Sequence, residues 1–113
     1  MAEIVDCLKA DGALSAESGA KNLLFRQIFA KNEKHLMSVT YNDILPGGNS
    51  KKHSHKEEHI AFIVQGKGFL EVADGKRLEI QTGSAIYIAS DEPHCFFNTG
   101  TEKMVSVGIL GPS

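Results

Sequence analysis

The sequence predicts an all-β domain, a small jelly roll or closed barrel of short strands preceded by an N-terminal arm. Three observations carry that prediction. From Leu23 onward, short runs of β-branched and aromatic residues recur at near-regular spacing. Four of these runs end in turn chemistry, namely Pro46-Gly47-Gly48, Gly66-Lys67-Gly68, Asp74-Gly75 and Thr82-Gly83. Beyond residue 20 no helical period is sustained, and eleven glycines with three prolines punctuate the 113 residues.

Taken in order, residues 1–20 read as an arm on the outside and residues 21–113 as the barrel. Ile4, Val5 and Leu8 share an apolar side in either a short helix or an edge strand. Gly12 and the small polar run from Ser15 to Gly19 interrupt anything longer. Residues 23–29 read as one strand. Residues 36–45 read as the next, with Met37, Val39 and Tyr41 on one face by the two-residue period. Pro46-Gly47-Gly48 is expected to end it. Residues 60–64 are apolar throughout, the pattern of a strand covered on both faces. Further strands are expected at 69–72, 77–80, 85–89, 94–98 and 104–110, with a tight hairpin at Asp74-Gly75.

A chain of this length supports a single core, and 42% hydrophobic with 23% charged residues is ordinary for a globular protein. The net charge is −2 and Lys51-Lys52 is the densest positive spot, which excludes a nucleic-acid binder that must neutralise phosphates. No stretch has membrane-spanning length, and the first residues lack the basic start and apolar run of a signal peptide. Two cysteines, Cys7 and Cys95, form no CxxC pair, so a reduced, cytoplasmic protein is the expectation.

The chemistry concentrates in histidine. Three of five histidines, His53, His55 and His59, fall within seven residues, and His94 lies in a later ordered segment. Only His35 stands apart. Isolated histidines beside lysines and glutamates are ordinarily solvated surface residues; the clustering argues for a metal. In His53-Ser54-His55, alternate residues share a strand face, so both rings can approach one ion. A straight chain would carry His59 about 13 Å past His55, at roughly 3.3 Å per residue. The chain must therefore bend through Lys56-Glu57-Glu58, leaving His59 to open the next strand. A rival pattern, H-x-x-E-H over residues 55–59, belongs to helical zinc hydrolases and would make Glu58 a base. A helix between Pro46-Gly47-Gly48 and the apolar run at 60–64 would be too short to anchor such a site, and His53 would have no role.

The two histidine segments resemble the two cupin motifs. Gly47, His53, His55 and Gly66 fall in register with the first, and Gly83, His94 and Asn98 with the second. Ala89 and Asp91 replace the usual proline and glycine of a turn. His59 occupies the usual glutamate position, which makes the chain similar to the small all-histidine cupins, where four imidazoles bind manganese. The resemblance implies a double-stranded β-helix barrel with His53, His55, His59 and His94 as ligands to one divalent ion. Manganese or iron is favoured by the resemblance; imidazole also suits zinc, nickel and copper.

Four neutral imidazoles leave the ion's double charge uncompensated, so the site should favour small anionic or chelating organic ligands. An oxidoreductase of dioxygenase type is the first functional expectation. A non-catalytic ligand-binding module is the alternative, and a sugar-type isomerase a third. Counting in twos puts Phe96 and Asn98 on the metal side, with Cys95 and Phe97 opposite. The same count turns Ala61 and Ile63 inward and Ile60, Phe62 and Val64 outward, where a second subunit or the arm would cover them; a homodimer is expected. Tyr41, Tyr87, Glu57 and Glu58 are the candidate proton handlers, and their spacing singles out none of them.

Overall fold

The computed structural model describes residues 2–112. They form ten strands, with one 3₁₀ turn and no α-helix among the described residues: β1 (Ala13–Leu14), β2 (Lys21–Phe25), β3 (Gln27–Phe29), β4 (Ser38–Asn49), β5 (His59–Gln65), β6 (Lys67–Glu71), β7 (Arg77–Gln81), β8 (Ala85–Ile88), β9 (Cys95–Asn98) and β10 (Met104–Leu110). One antiparallel sheet runs in the order β7-β6-β9-β4-β10-β5-β8, with β2 and β3 also paired to β4 and β1 paired to β2. The sheet curls on itself, so that Ile44, Ile63, Ile88 and Met104 are fully buried inside it. No helix among the described residues is long and apolar enough to cross a membrane.

From β5 onward the strands lie within two residues of the expected positions. The turn at Ala73–Gly75 carries positive φ at both Asp74 (65°) and Gly75 (72°), the backbone that a tight hairpin requires. Along β5, Ala61 and Ile63 are 1% and 0% exposed, whereas Ile60, Phe62 and Val64 are 51%, 48% and 42% exposed. The inward and outward sets match the two-residue count. Burial on both faces does not occur in the isolated chain, because the arm does not lie over the outer row.

Earlier in the chain the structure departs from expectation twice. Pro46-Gly47-Gly48 does not end a strand; it bends one. Over Ser38 to Ile44, β4 pairs with β10, and at Asn49 it pairs with Phe97 of β9. The bend is where one strand passes from one half of the curl to the other, a common way for a sheet to turn a corner. Gly47 has φ of 78°, and a Cβ on Gly48 would stand 2.6 Å from the Lys21 carbonyl oxygen. Only glycine fits there.

The second departure is Arg26, which divides residues 23–29 into β2 and β3. Its guanidinium makes two 3.1 Å hydrogen bonds to the Asp43 carboxylate, while its backbone N–H donates to Asn42 Oδ1. Arg26 and Asp43 side chains are 11% and 5% exposed. Burial pushes the Asp43 carboxyl up, but the hydrogen bonds and charge of Arg26, aided by Lys103, outweigh it and hold the group below its ordinary value. A paired charge this buried is costly to orphan. Asp43→Asn should destabilise the fold by about 3 kcal/mol, read from the urea midpoint at constant m-value.

Candidate metal centre

Residues 50–55 are not a regular strand, yet they run antiparallel to residues 91–96. His53 and His94 exchange both backbone hydrogen bonds (3.2 and 2.9 Å), flanked by Ser50 N–H to Phe96 O (2.9 Å) and Asp91 N–H to His55 O (2.7 Å). Directly opposed residues in such a ribbon project to the same side. The rings of His53 and His94 accordingly meet, with Nε2 atoms 3.1 Å apart. The chain bends at residues 56–57, and His59 then opens β5.

Nitrogen donors of His53, His55 and His94 all lie within 4.8 Å of one another. His59 stands outside that set of three as a neighbouring ring, its centroid 5.4 Å from that of His94 and 5.7 Å from that of His55. The remaining histidine, His35, packs edge-on against Phe29 and faces Glu3, away from this cluster.

The tautomers suit a cation. His55 Nδ1–H donates to the Glu57 carbonyl and His94 Nδ1–H to the Glu92 carbonyl, each at 2.9 Å. A carbonyl can only accept, so each ring must carry its proton on Nδ1 and turn a bare Nε2 inward. His53 and His94 facing each other at 3.1 Å need a shared proton or a cation between them. His59 Nδ1 is buried without a hydrogen-bond partner, a position that costs about 1–3 kcal/mol unless something binds there. Burial lowers the pKa of His53, His94 and His59, the last to about 4. Neutral rings at pH 7 are what a metal needs. The residues present fit a divalent ion.

The cluster forms one wall of a cavity of about 180 Å³. Apolar walls come from Leu23, Phe25, Ile44 and Phe96, and Phe96 lies beside His59 and His94 as the two-residue count expects. Asn98, counted with Phe96, is buried and spends its amide on the carbonyls of Ile44 and Glu102. Cys95 is buried, with its thiol donating to the Ser50 carbonyl, and burial raises its pKa, so it packs rather than reacts.

The expected proton handlers lie elsewhere. Tyr41 faces outward beneath the Arg26 guanidinium, and exposed Tyr87 donates to the Glu58 carboxylate. None of Tyr41, Tyr87, Glu57 and Glu58 lines the cavity. Sequence reasoning missed the groups that do: Thr40, Asn42 and Ser106 inside, and Glu17 with Lys51 at the arm side, 3.7 Å apart. The available signal was the polar phase of the alternation at Thr40 and Asn42, passed over in favour of the apolar phase.

Two outcomes follow. Because the folded-state pKa of His59 lies below its ordinary value of 6.5, the unfolded chain binds more protons between that value and about 4. Metal-free protein should therefore lose stability as pH falls through this window, and His59→Gln should flatten the slope in urea titrations. A Cβ at Gly108 would stand 2.9 Å from Thr40 Oγ1 and 3.1 Å from His59 Nε2. Gly108→Ala should displace the His59 ring and weaken metal binding by roughly tenfold in calorimetry.

Residues 41–109, more than half of the chain, match the family described as Cupin domain. Among solved structures, the polyketide cyclase RemF from Streptomyces resistomycificus is similar, with a TM-score of 0.86 at 23% identity over 100% of this chain and 81% of that one. A protein from Thermotoga maritima described as a predicted oxalate decarboxylase gives a TM-score of 0.88 at 22% identity, over 98% and 100%. At these identities the likeness shows the fold alone. No curated protein matches the chain in sequence.

Proposed function

Because the chain belongs to the cupin family, we propose that it is a divalent-metal protein in which His53, His55, His59 and His94 would hold one ion, at which dioxygen oxidises a small anionic or chelating organic substrate. The bare Nε2 atoms of His55 and His94, with His53 Nε2 3.1 Å from the latter and all three donors within 4.8 Å of one another, carry this reading. When bound, the ion supplies an uncompensated double charge that attracts an anionic oxygen and a redox centre if it is manganese or iron. The protein's own residues orient and exclude. Backbone carbonyls of Glu57 and Glu92 fix two ring orientations, while Phe96, Leu23 and Ile44 keep the ligand's body out of water.

The neighbours' names, a polyketide cyclase and a predicted oxalate decarboxylase, suit oxygen-rich carbon substrates. The mostly apolar cavity favours the former kind of carbon skeleton over the latter's small dianion. Tyr41, Tyr87, Glu57 and Glu58 all lie outside the cavity, and that placement favours a second reading, a barrel that binds its ligand without turnover. The half-exposed row of Ile60, Phe62 and Val64 supports a homodimer, and a one-chain mass in light scattering at micromolar protein would overturn it.

Elemental analysis of protein purified without added metal should find about one manganese or iron per chain. Each of the four single His→Ala variants should lose metal content or at least tenfold in affinity. Unchanged stoichiometry and affinity in all four would refute the site. Dioxygen uptake with diketones, enols and carboxylates separates the oxidase from the binding module.

A further inference from the structure

We infer that the inner faces of β4 and β10 form a second recognition point, in which Thr40, Asn42 and Ser106 hold an uncharged, hydrogen-bond-accepting oxygen on a ligand one ring in size. The inference rests on the proposed metal centre for the ligand's other end. Thr40 pairs with Gly108 and Asn42 with Ser106 across the β4–β10 ladder, and Gly108 pairs with Ala61 of β5. All five line the cavity that His59 also lines. Gly108 and Ala61 have almost no side chain, so a trough lies between the hydroxyl-bearing positions and the histidines.

Polar groups at such inward positions are costly unless bonded, and apolar residues would fill them more cheaply. Thr40 and Ser106 are 9% and 7% exposed. Asn42 Oδ1 accepts the Arg26 N–H and Asn42 Nδ2 donates to Thr40 Oγ1 at 3.1 Å, which fixes the amide's orientation. What is left over is a set of donors: the second Asn42 N–H, the Thr40 hydroxyl proton, and the Ser106 hydroxyl, which makes no side-chain hydrogen bond among the described residues. Donors without acceptors call for a ligand oxygen. Among the described residues Lys51 is the one lysine or arginine that lines the cavity, and it lies at the arm side paired with Glu17. A carbonyl or hydroxyl oxygen therefore suits it better than a carboxylate.

Size follows from the cavity. An apolar cavity of roughly 150 Å³ accommodates benzene, and this one is about 180 Å³. One six-membered ring with short substituents fills it, flanked by Phe25, Ile44 and Phe96.

Two isosteric probes test the inference, 3,4-dihydroxybenzyl alcohol and 4-ethylcatechol, titrated anaerobically by calorimetry into manganese-loaded protein. The alcohol should bind roughly tenfold more tightly, a difference of about 1.4 kcal/mol. Ser106→Ala and Thr40→Val should each reduce that preference while leaving metal content and 4-ethylcatechol affinity unchanged. Equal affinity of the wild-type protein for both probes, or a preference that survives in the double variant, overturns the inference and leaves the metal centre standing. Failure of both probes to bind overturns this inference, while the manganese content of the loaded protein decides separately whether the metal centre stands. The wild-type comparison decides even where a variant does not fold.

Discussion

Two backbone hydrogen bonds between His53 and His94 hold the functional part of this molecule together. Forty-one residues separate the two in sequence, and neither regular strand contains them. Once each accepts from the other's N–H, geometry leaves both side chains on one side of the ribbon. The 50–55 segment then has a fixed register against the 91–96 segment. His55 follows from His53 by parity, and β5 delivers His59 through its pairing with Ile88 of β8. A slip of one residue would turn His94 to the other side and Cys95 inward.

Around that clasp, the protein sets the protonation of its rings with neutral groups. Two backbone carbonyls take the outer N–H of His55 and His94, and no carboxylate is used for the purpose. A carboxylate there would make the rings more basic and better able to hold a proton. Carbonyls fix the tautomer, and at His94 burial outweighs the upward pull of the Glu92 carbonyl and holds the ring below its ordinary value. The arrangement leaves any bound cation with its full charge facing an apolar-walled space, where electrostatic attraction for an anion is weakly screened.

The histidine ligand candidates and the strands after residue 59 were legible because their signals are local: clustered imidazoles, two-residue alternation and glycine turns. β4 was not. Its outward face carries Val39 and Tyr41 while its inward face carries Thr40 and Asn42, so the hydrophobic row that the two-residue period picks out is not the one that faces the cavity. Alternation reveals two faces without saying which is inside when the inward positions carry polar residues. Pro46-Gly47-Gly48 has the same chemistry whether a strand stops or turns a corner, and only pairing to β9 distinguishes them. The break at Arg26 depends on Asp43, seventeen residues away, and no short window contains both.

Residues 15–20 complete the cavity wall through short-range tethers: two residue pairs between β1 and β2 just before them, the Ser15 N–H on the Leu23 carbonyl, one exposed ion pair, and the Asn49 amide on the Gly19 carbonyl. Short terminal pairings are the first to open in a folded protein. For a ligand at the proposed site, opening of this thinly paired ribbon would offer a way out that leaves the histidines in place.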